Sequence, residues 1–227
     1  MSNTSKGAAS KGSKHWMQAV VKDNALRARL EDMMGEKTPL CWISPLKSDD
    51  YSEYRLNSPS LYNRFETTKE DIRSVLSFWP SGGPNWDGLA MSNDTLFLIE
   101  AKSHLAEMRA SCRAKSRESR GLIQATMKEV QERYYPHGDY SDWEKEYYQL
   151  ANRLVFLHKL NEKAPFGKIK KVTLVLLNFV NDTTHEVKKR TSEDMWRAHY
   201  KEVWRKMAGS ETTPDGVINL FFDVGQK

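Results

Sequence analysis

Three charged residues, Asp87, Glu100 and Lys102, have the types and the spacing that metal-assisted hydrolysis requires. Glu100 and Lys102 are two positions apart, so a β-strand turns both side chains to one face. Asp87 lies on the preceding predicted strand, and a hairpin between the two strands brings its carboxylate onto that face. Because buried charges are costly without partners, we expect these residues to form a functional site.

The chemistry that suits these residues is phosphodiester hydrolysis with Mg²⁺. This cation prefers oxygen ligands and retains several waters, so Asp87, Glu100 and the backbone carbonyl of Ala101 would bind it and leave positions for a phosphate oxygen. The metal polarises the phosphate and lowers the pKa of its bound water. Lys102 would orient or deprotonate that water and stabilise the added negative charge. We expect Mn²⁺ to be able to substitute.

A structural interpretation of the same residues is an ion pair between Glu100 and Lys102 at a strand edge. The run Leu96–Ile99 is apolar on both faces, which is typical of a central strand covered on both sides. This pattern weakens the structural interpretation and leaves both open.

The elements that must position these residues form a predicted α/β domain. Strands over 85–91 and 95–102 are joined by the short polar link Ser92-Asn93-Asp94, which favours a hairpin. The sequence 1–15 reads as a flexible basic tail, and 16–227 as a single domain. Hydrophobic periodicity predicts helices over 16–34, 60–78, 118–135, 141–161 and 191–207, and further strands over 40–44, 171–180 and 217–224.

Composition bounds the class of protein. The chain has 227 residues, 39% of them hydrophobic, which suits a globular fold. It has two cysteines, no apolar run of membrane-spanning length and no signal-like N-terminus, so we expect a cytoplasmic protein with no membrane partner. The net charge is +5, but three lysines lie in the first fifteen residues; the remainder has 32 basic and 30 acidic residues. Contacts with nucleic acid must therefore come from local patches.

The segment from Trp79 to Leu89, followed by Leu98 to His104, resembles the PD-(D/E)xK nuclease superfamily, which includes many restriction and repair endonucleases. The resemblance covers about 60–180 and implies a restriction-endonuclease-like core, a central mixed β-sheet flanked by helices. It implies metal ligands at Asp87 and Glu100 and a catalytic lysine at Lys102. It also implies a helical acid, for which we select Glu66 over Glu70.

Two features depart from the family pattern. Pro84 stands three residues before Asp87 rather than next to it. The helical Gln of the family is matched by Gln149, but Arg153 occupies the position four residues later where relatives carry Tyr.

Several basic and polar side chains near the predicted site suit contacts with phosphate groups. A solvated helix face or loop explains the basic run 109–120 equally well. The candidate nucleic-acid contacts are Ser103, His104, Arg109, Arg113, Lys115, Gln149 and Arg153.

The sequence therefore predicts a magnesium-dependent nuclease, with DNA favoured over RNA. The alternatives are a catalytically inactive nucleic-acid-binding or assembly module of the same fold, and a metal-dependent hydrolase of another substrate. A homodimer would suit double-strand cleavage, since two copies of one site match two strands.

Overall fold

The computed structural model describes residues 7–81, 83–112 and 114–225. The predicted nucleic-acid contact at Arg113 lies outside these ranges. So do residues 1–6 of the predicted flexible tail.

Within the described residues, five strands form one mixed sheet in sequential order β1-β2-β3-β4-β5. The pairs β1–β2 and β2–β3 are antiparallel, whereas the pairs β3–β4 and β4–β5 are parallel. This arrangement confirms an α/β fold with a mixed sheet. The strands are β1 (Cys41–Ser44), β2 (Gly88–Ser92), β3 (Thr95–Lys102), β4 (Lys171–Val180) and β5 (Val217–Asp223).

Helices cover both faces of this sheet, because β3 and β4 present apolar side chains alternately to each side. Leu96 and Leu98 join one core with α5, α7 and α8. Phe97 and Ile99 join the other core with α1 and α2. No helix in the described part of the chain is long and apolar enough to cross a membrane. The helices are α1 (Gly12–Lys22), α2 (Asn24–Met33), α3 (Tyr62–Phe65), α4 (Lys69–Val75), α5 (Arg117–Tyr134), α6 (Tyr140–Glu144), α7 (Tyr148–Lys163) and α8 (Glu193–Ala208).

The N-terminal segment differs from the prediction. Helix α1 begins at Gly12, so the prediction of a flexible tail is wrong for residues 12–15. Before the helix, the N–H of Gly7 donates to the carbonyl of Asp50, and the N–H of Ala9 donates to the Gln18 side chain. The helix packs its Met17 and Val20 into the core, and this tertiary packing is not visible in the low-complexity sequence before it.

Three helices that were predicted as continuous are divided, two of them at residues whose side chains cap the following helix. Asp23 ends α1, and its carboxylate accepts from the N–H groups of Ala25 and Leu26 at the start of α2. Thr68 starts α4 with a reciprocal capping box to Asp71. The third division separates α6 from α7 over residues 145–147. At the first two divisions, capping side chains thus decide boundaries that apolar periodicity alone leaves undefined.

Candidate active site

The β2–β3 hairpin places Asp87 against Glu100. Gly88 pairs with Ile99 in the antiparallel register, so the residue before Gly88 lies opposite the residue after Ile99. Oδ2 of Asp87 accepts a hydrogen bond from the N–H of Ala101 at 2.8 Å. The structure therefore brings together the two carboxylates that the sequence analysis selected.

Glu100 is buried and held by three side chains. Its Oε1 accepts from Nζ of Lys102 and, at 2.6 Å, from Nε2 of Gln149. Its Oε2 accepts from Nε of Arg153 at 2.7 Å and lies 2.6 Å from Nη2 of the same guanidinium. Burial alone would raise the pKa of Glu100, but the charges of Arg153 and Lys102 hold that pKa below its ordinary value. Glu100 is thus ionised at neutral pH.

Arg153 connects Glu100 to the segment that enters β2. Its Nη2 donates to the backbone carbonyl of Asn85 at 3.0 Å, and its guanidinium lies 4.6 Å from the ring centre of Trp86. The residue is 5% exposed. The structure therefore places the predicted nucleic-acid contact Arg153 in an enclosed position, where its guanidinium orients Glu100.

Glu53 is a third carboxylate beside Asp87, and the sequence analysis missed it. Tyr54 and Trp86 form an isolated antiparallel bridge, which places the residue before Tyr54 opposite the residue after Trp86. Side chains at such opposed positions have Cβ atoms about 5 Å apart. Oε1 of Glu53 also lies 3.6 Å from Nζ of Lys14 on α1. Residues 36–60 have no periodicity in the sequence, so the only available signal was the acid itself.

The surroundings of Asp87 raise its pKa to about 7. Burial is the largest cause, followed by the negative charge of Glu100, and Glu53 adds to the effect. The charge of Lys102 and the N–H of Ala101 oppose these causes without cancelling them. A divalent cation beside Asp87 would remove this penalty on the ionised carboxylate.

Lys102 is positively charged at neutral pH. Burial would lower its pKa, but Glu100 and Asp87 outweigh that effect and raise the pKa above its ordinary value. A protonated lysine serves as an electrostatic group and a hydrogen-bond donor, not as a base. Of the two roles that the sequence analysis allowed for Lys102, this environment favours orientation and charge stabilisation over proton abstraction.

Glu66, the predicted helical acid, is placed elsewhere. It ends α3 in the left-handed conformation, is mostly exposed, and pairs with Lys168 at 3.5 Å. Lys168 precedes the start of β4, whereas Glu100 pairs with Leu176 in the middle of that strand. The five residues from the start of β4 to Leu176 span about 16 Å. The structure therefore places Glu66 away from Asp87 and Glu100, and the acid that lies beside Asp87 is Glu53.

The predicted nucleic-acid contacts divide into two groups. Ser103 is buried and donates to Oε1 of Glu107 at 2.9 Å, so its hydroxyl is not on the surface. His104 is half-buried, with Nε2 3.2 Å from the same Glu107 oxygen. The side chain of Gln149 donates a hydrogen bond to Glu100, as described above. Arg109 and Lys115 are exposed, which suits contacts with a polyanion.

A basic groove, which we define by Lys115, Arg117 and Arg120, lies at the start of α5. These side chains are exposed and line an open cavity of about 460 Å³. The segment before these residues contacts the start of α7, where the carbonyl of Ala110 accepts a hydrogen bond from the N–H of Tyr148 at 3.2 Å. Tyr148 precedes Gln149, so the groove is attached to the helix that holds Glu100.

Comparisons of this chain with protein-family models, with curated proteins and with solved structures found no match to any of the three.

Proposed function

We propose that the protein is a Mg²⁺-dependent nuclease of the PD-(D/E)xK type that hydrolyses phosphodiester bonds of nucleic acid, with DNA favoured over RNA. The observation that carries the proposal is the meeting of Asp87 and Glu100 at the end of one hairpin, with Lys102 bonded to Glu100. The sheet supports it as well, since an antiparallel hairpin followed by a parallel strand suits a restriction-endonuclease-like core.

The donor set fits a hard divalent cation. Asp87 and Glu100 provide carboxylate oxygens, and Glu53 lies on the other side of Asp87. The N–H of Ala101 points to Asp87, and a residue in an antiparallel pair turns its N–H and C=O to the same neighbour. The carbonyl of Ala101 therefore lies on the side of Asp87. When bound, Mg²⁺ polarises the phosphate and lowers the pKa of a coordinated water.

The protein's own residues would divide the remaining work. Gln149 and Arg153 fix the orientation of the Glu100 carboxylate, which limits the reorganisation that ligand binding requires. Lys102 donates to a phosphate oxygen or to the attacking water, and its charge stabilises the extra negative charge of the transition state. Because Lys102 is already protonated, it cannot accept the proton of the attacking water, and a different group must act as the base.

The basic groove supports a polyanionic substrate. Its Lys115, Arg117 and Arg120 side chains, together with Arg109 at 74% exposure, provide positive charge near the start of α7. Such contacts bind the phosphate backbone without reading sequence. This placement favours nucleic acid over a small neutral substrate.

The direct test is cleavage of DNA and RNA in the presence of Mg²⁺ or Mn²⁺, with chelator as the blank. Lys102→Ala should lower the cleavage rate by at least about a hundredfold, as removal of one charge-stabilising donor does elsewhere. Lys170→Ala is the matched control, because Lys170 is an exposed lysine paired with Asp94 outside the site. Equal rates for the two variants would contradict the proposal.

A second candidate function is a nucleic-acid-binding or assembly module without turnover. One observation favours it: Glu100 is already saturated by Lys102, Gln149 and Arg153, so a metal must displace at least one of them. The cavity beside Glu100 is only about 10 Å³. Binding of DNA at equal affinity by the wild type and Lys102→Ala, with cleavage by neither, would establish this second function.

A further inference from the structure

We propose that His104, Glu107 and His185 form a second metal site, which takes a zinc-type transition ion and is distinct from the Asp87–Glu100 site. Each residue offers one ligand atom, and these atoms all lie within 4.8 Å of one another. The proposal stands independently of the proposed nuclease activity.

Parallel strands bring the three residues together. His104 and Glu107 belong to the turn that directly follows β3, and His185 lies in the loop that follows β4. Lys102 pairs with Asn178 in the parallel register, so both loops leave the sheet at the same edge. The two imidazole rings are edge to face, with centres 5.1 Å apart.

The donor types select the class of metal. Two imidazoles and one carboxylate suit Zn²⁺ and its neighbours, whereas Mg²⁺ prefers oxygen ligands alone. Ligand bonds of about 2.0–2.1 Å in a tetrahedron separate neighbouring donor atoms by roughly 3.3 Å. Nε2 of His104 and Oε1 of Glu107 already lie 3.2 Å apart. The ligand atoms all lie within 4.8 Å of one another, so the imidazole of His185 needs to move by at most about 1.5 Å to complete the three-ligand set. The fourth position accepts water.

The groups around the cluster suit a bound cation. Asp182 is fully buried, with Oδ2 3.7 Å from Nε2 of His185. This imidazole nitrogen is itself buried and has no hydrogen-bond partner among the described residues. Ser103 donates to Oε1 of Glu107 and fixes that carboxylate. The negative charge of Asp182 favours a cation beside His185, and the hydrogen bond from Ser103 orients the Glu107 ligand.

The cluster lies beyond the end of β3 and beside the start of α1, whereas the candidate active site lies on β3 itself. Glu100 faces α7, where it contacts Gln149 and Arg153. A Cβ atom on Gly12, at the start of α1, would stand 3.3 Å from Nε2 of His185. The N–H of Gly12 also donates to Thr184 in the same loop, at 2.9 Å. A metal here would therefore tie the loops after β3 and β4 together beside the start of α1.

The test is a titration of the tag-free full-length chain with Co²⁺, followed by visible absorption, with Zn²⁺ as competitor. We expect one equivalent of Co²⁺ with the d–d bands of a tetrahedral site and without thiolate charge transfer, resistant to excess Mg²⁺. His185→Ala and the conservative Glu107→Gln should each weaken binding at least about tenfold. His137→Ala is the matched control, since His137 is exposed and outside the cluster.

Two further readouts make the result decisive. Zn²⁺ should raise the unfolding temperature of the wild type and of His137→Ala but not that of Glu107→Gln, because a ligand that binds only the folded state stabilises it. Asp87→Asn should retain the Co²⁺ site in full, so failure of the nuclease proposal leaves this result unaffected. Absence of stoichiometric Co²⁺ binding, or equal binding by Glu107→Gln and His137→Ala, would overturn the proposal.

Discussion

Asp87 lies between two other carboxylates and is partly shielded from water, so its negative charge is unfavourable without a cation. Glu100, opposite Asp87 in the hairpin, has the other balance, because Lys102, Gln149 and Arg153 stabilise its charge. Neighbouring acids with environments this different are typical of functional sites. The site therefore pairs a fully compensated carboxylate, Glu100, with Asp87, whose charge Lys102 and the N–H of Ala101 offset only in part.

Replacement of Asp87 with Asn should stabilise the metal-free protein at pH 8 by about 1–2 kcal/mol. The amide oxygen can still accept from the N–H of Ala101, while the charge penalty disappears. The pKa of Asp87 is about 7 in the folded state, above its unfolded value, so the wild type gains stability as the pH falls from 7 towards 4.

Urea unfolding in chelator at several pH values measures this difference. The advantage of Asp87→Asn should be complete above pH 7 and shrink towards pH 4. A variant that is less stable than the wild type at pH 8 would show that the Asp87 charge is already compensated.

Arg153→Ala should destabilise the protein by about 3 kcal/mol, because it leaves the buried Glu100 without its main counter-charge. Arg133→Ala is the matched control: Arg133 is 62% exposed and pairs with Glu162 on the surface, so its loss should cost less than about 1 kcal/mol. Denaturant unfolding of both variants makes the comparison. Similar losses for the two arginines would contradict the positioning role of Arg153.

The individual elements show which signals in the sequence define structure. The bounds of β3 and β4 match the prediction, because runs such as Leu96–Ile99 are apolar on both faces and fit only a central strand. The helices over 16–34 and 60–78 were each divided, since a cap such as Asp23 satisfies backbone N–H groups that a continuous helix would satisfy internally. Apolar periodicity continues through such a break and cannot reveal it.

Thr68→Ala should destabilise the protein by about 1 kcal/mol, because Thr68 accepts from the N–H of Asp71 and forms the capping box of α4. Thr68→Ser retains the hydroxyl and should restore most of that stability. Thermal or urea unfolding of the pair provides the measurement. Equal stabilities for Ala and Ser at this position would show that the cap does not define the start of α4.

Across the whole molecule, the candidate site combines neighbours that the sequence reveals with neighbours that it does not. Asp87 and Glu100 share one hairpin, so strand periodicity and a short link sufficed to pair them. Glu53 reaches the site through the bridge of Tyr54 to Trp86, in a stretch with no periodic pattern. Arg153 lies on a helix far along the chain, and its enclosed position depends on how α7 packs against β3. Long-range packing of this kind leaves no local signal.

The basic groove predicts how the affinity for DNA depends on salt. Arg117→Ala and Lys115→Ala should each weaken DNA binding and lower the slope of log affinity against log salt by about 1, because each removes one phosphate contact. Lys170→Ala, on the far end of the sheet beside Asp94, should leave the slope unchanged. Fluorescence anisotropy across a salt series gives all three slopes. An unchanged slope for both groove variants would place the nucleic acid elsewhere.

The central claim is that Asp87 and Glu100 share a divalent cation, and anomalous diffraction from a crystal soaked in Mn²⁺ tests it most directly. We expect one strong anomalous peak for manganese within coordination distance of both carboxylates, about 2.0–2.3 Å, with Lys102 shifted from its contact with Glu100. An Asp87→Asn crystal treated in the same way should lose that peak. Wild-type crystals with Glu100 still bound by Lys102 and Arg153, and without manganese between the carboxylates, would contradict the account.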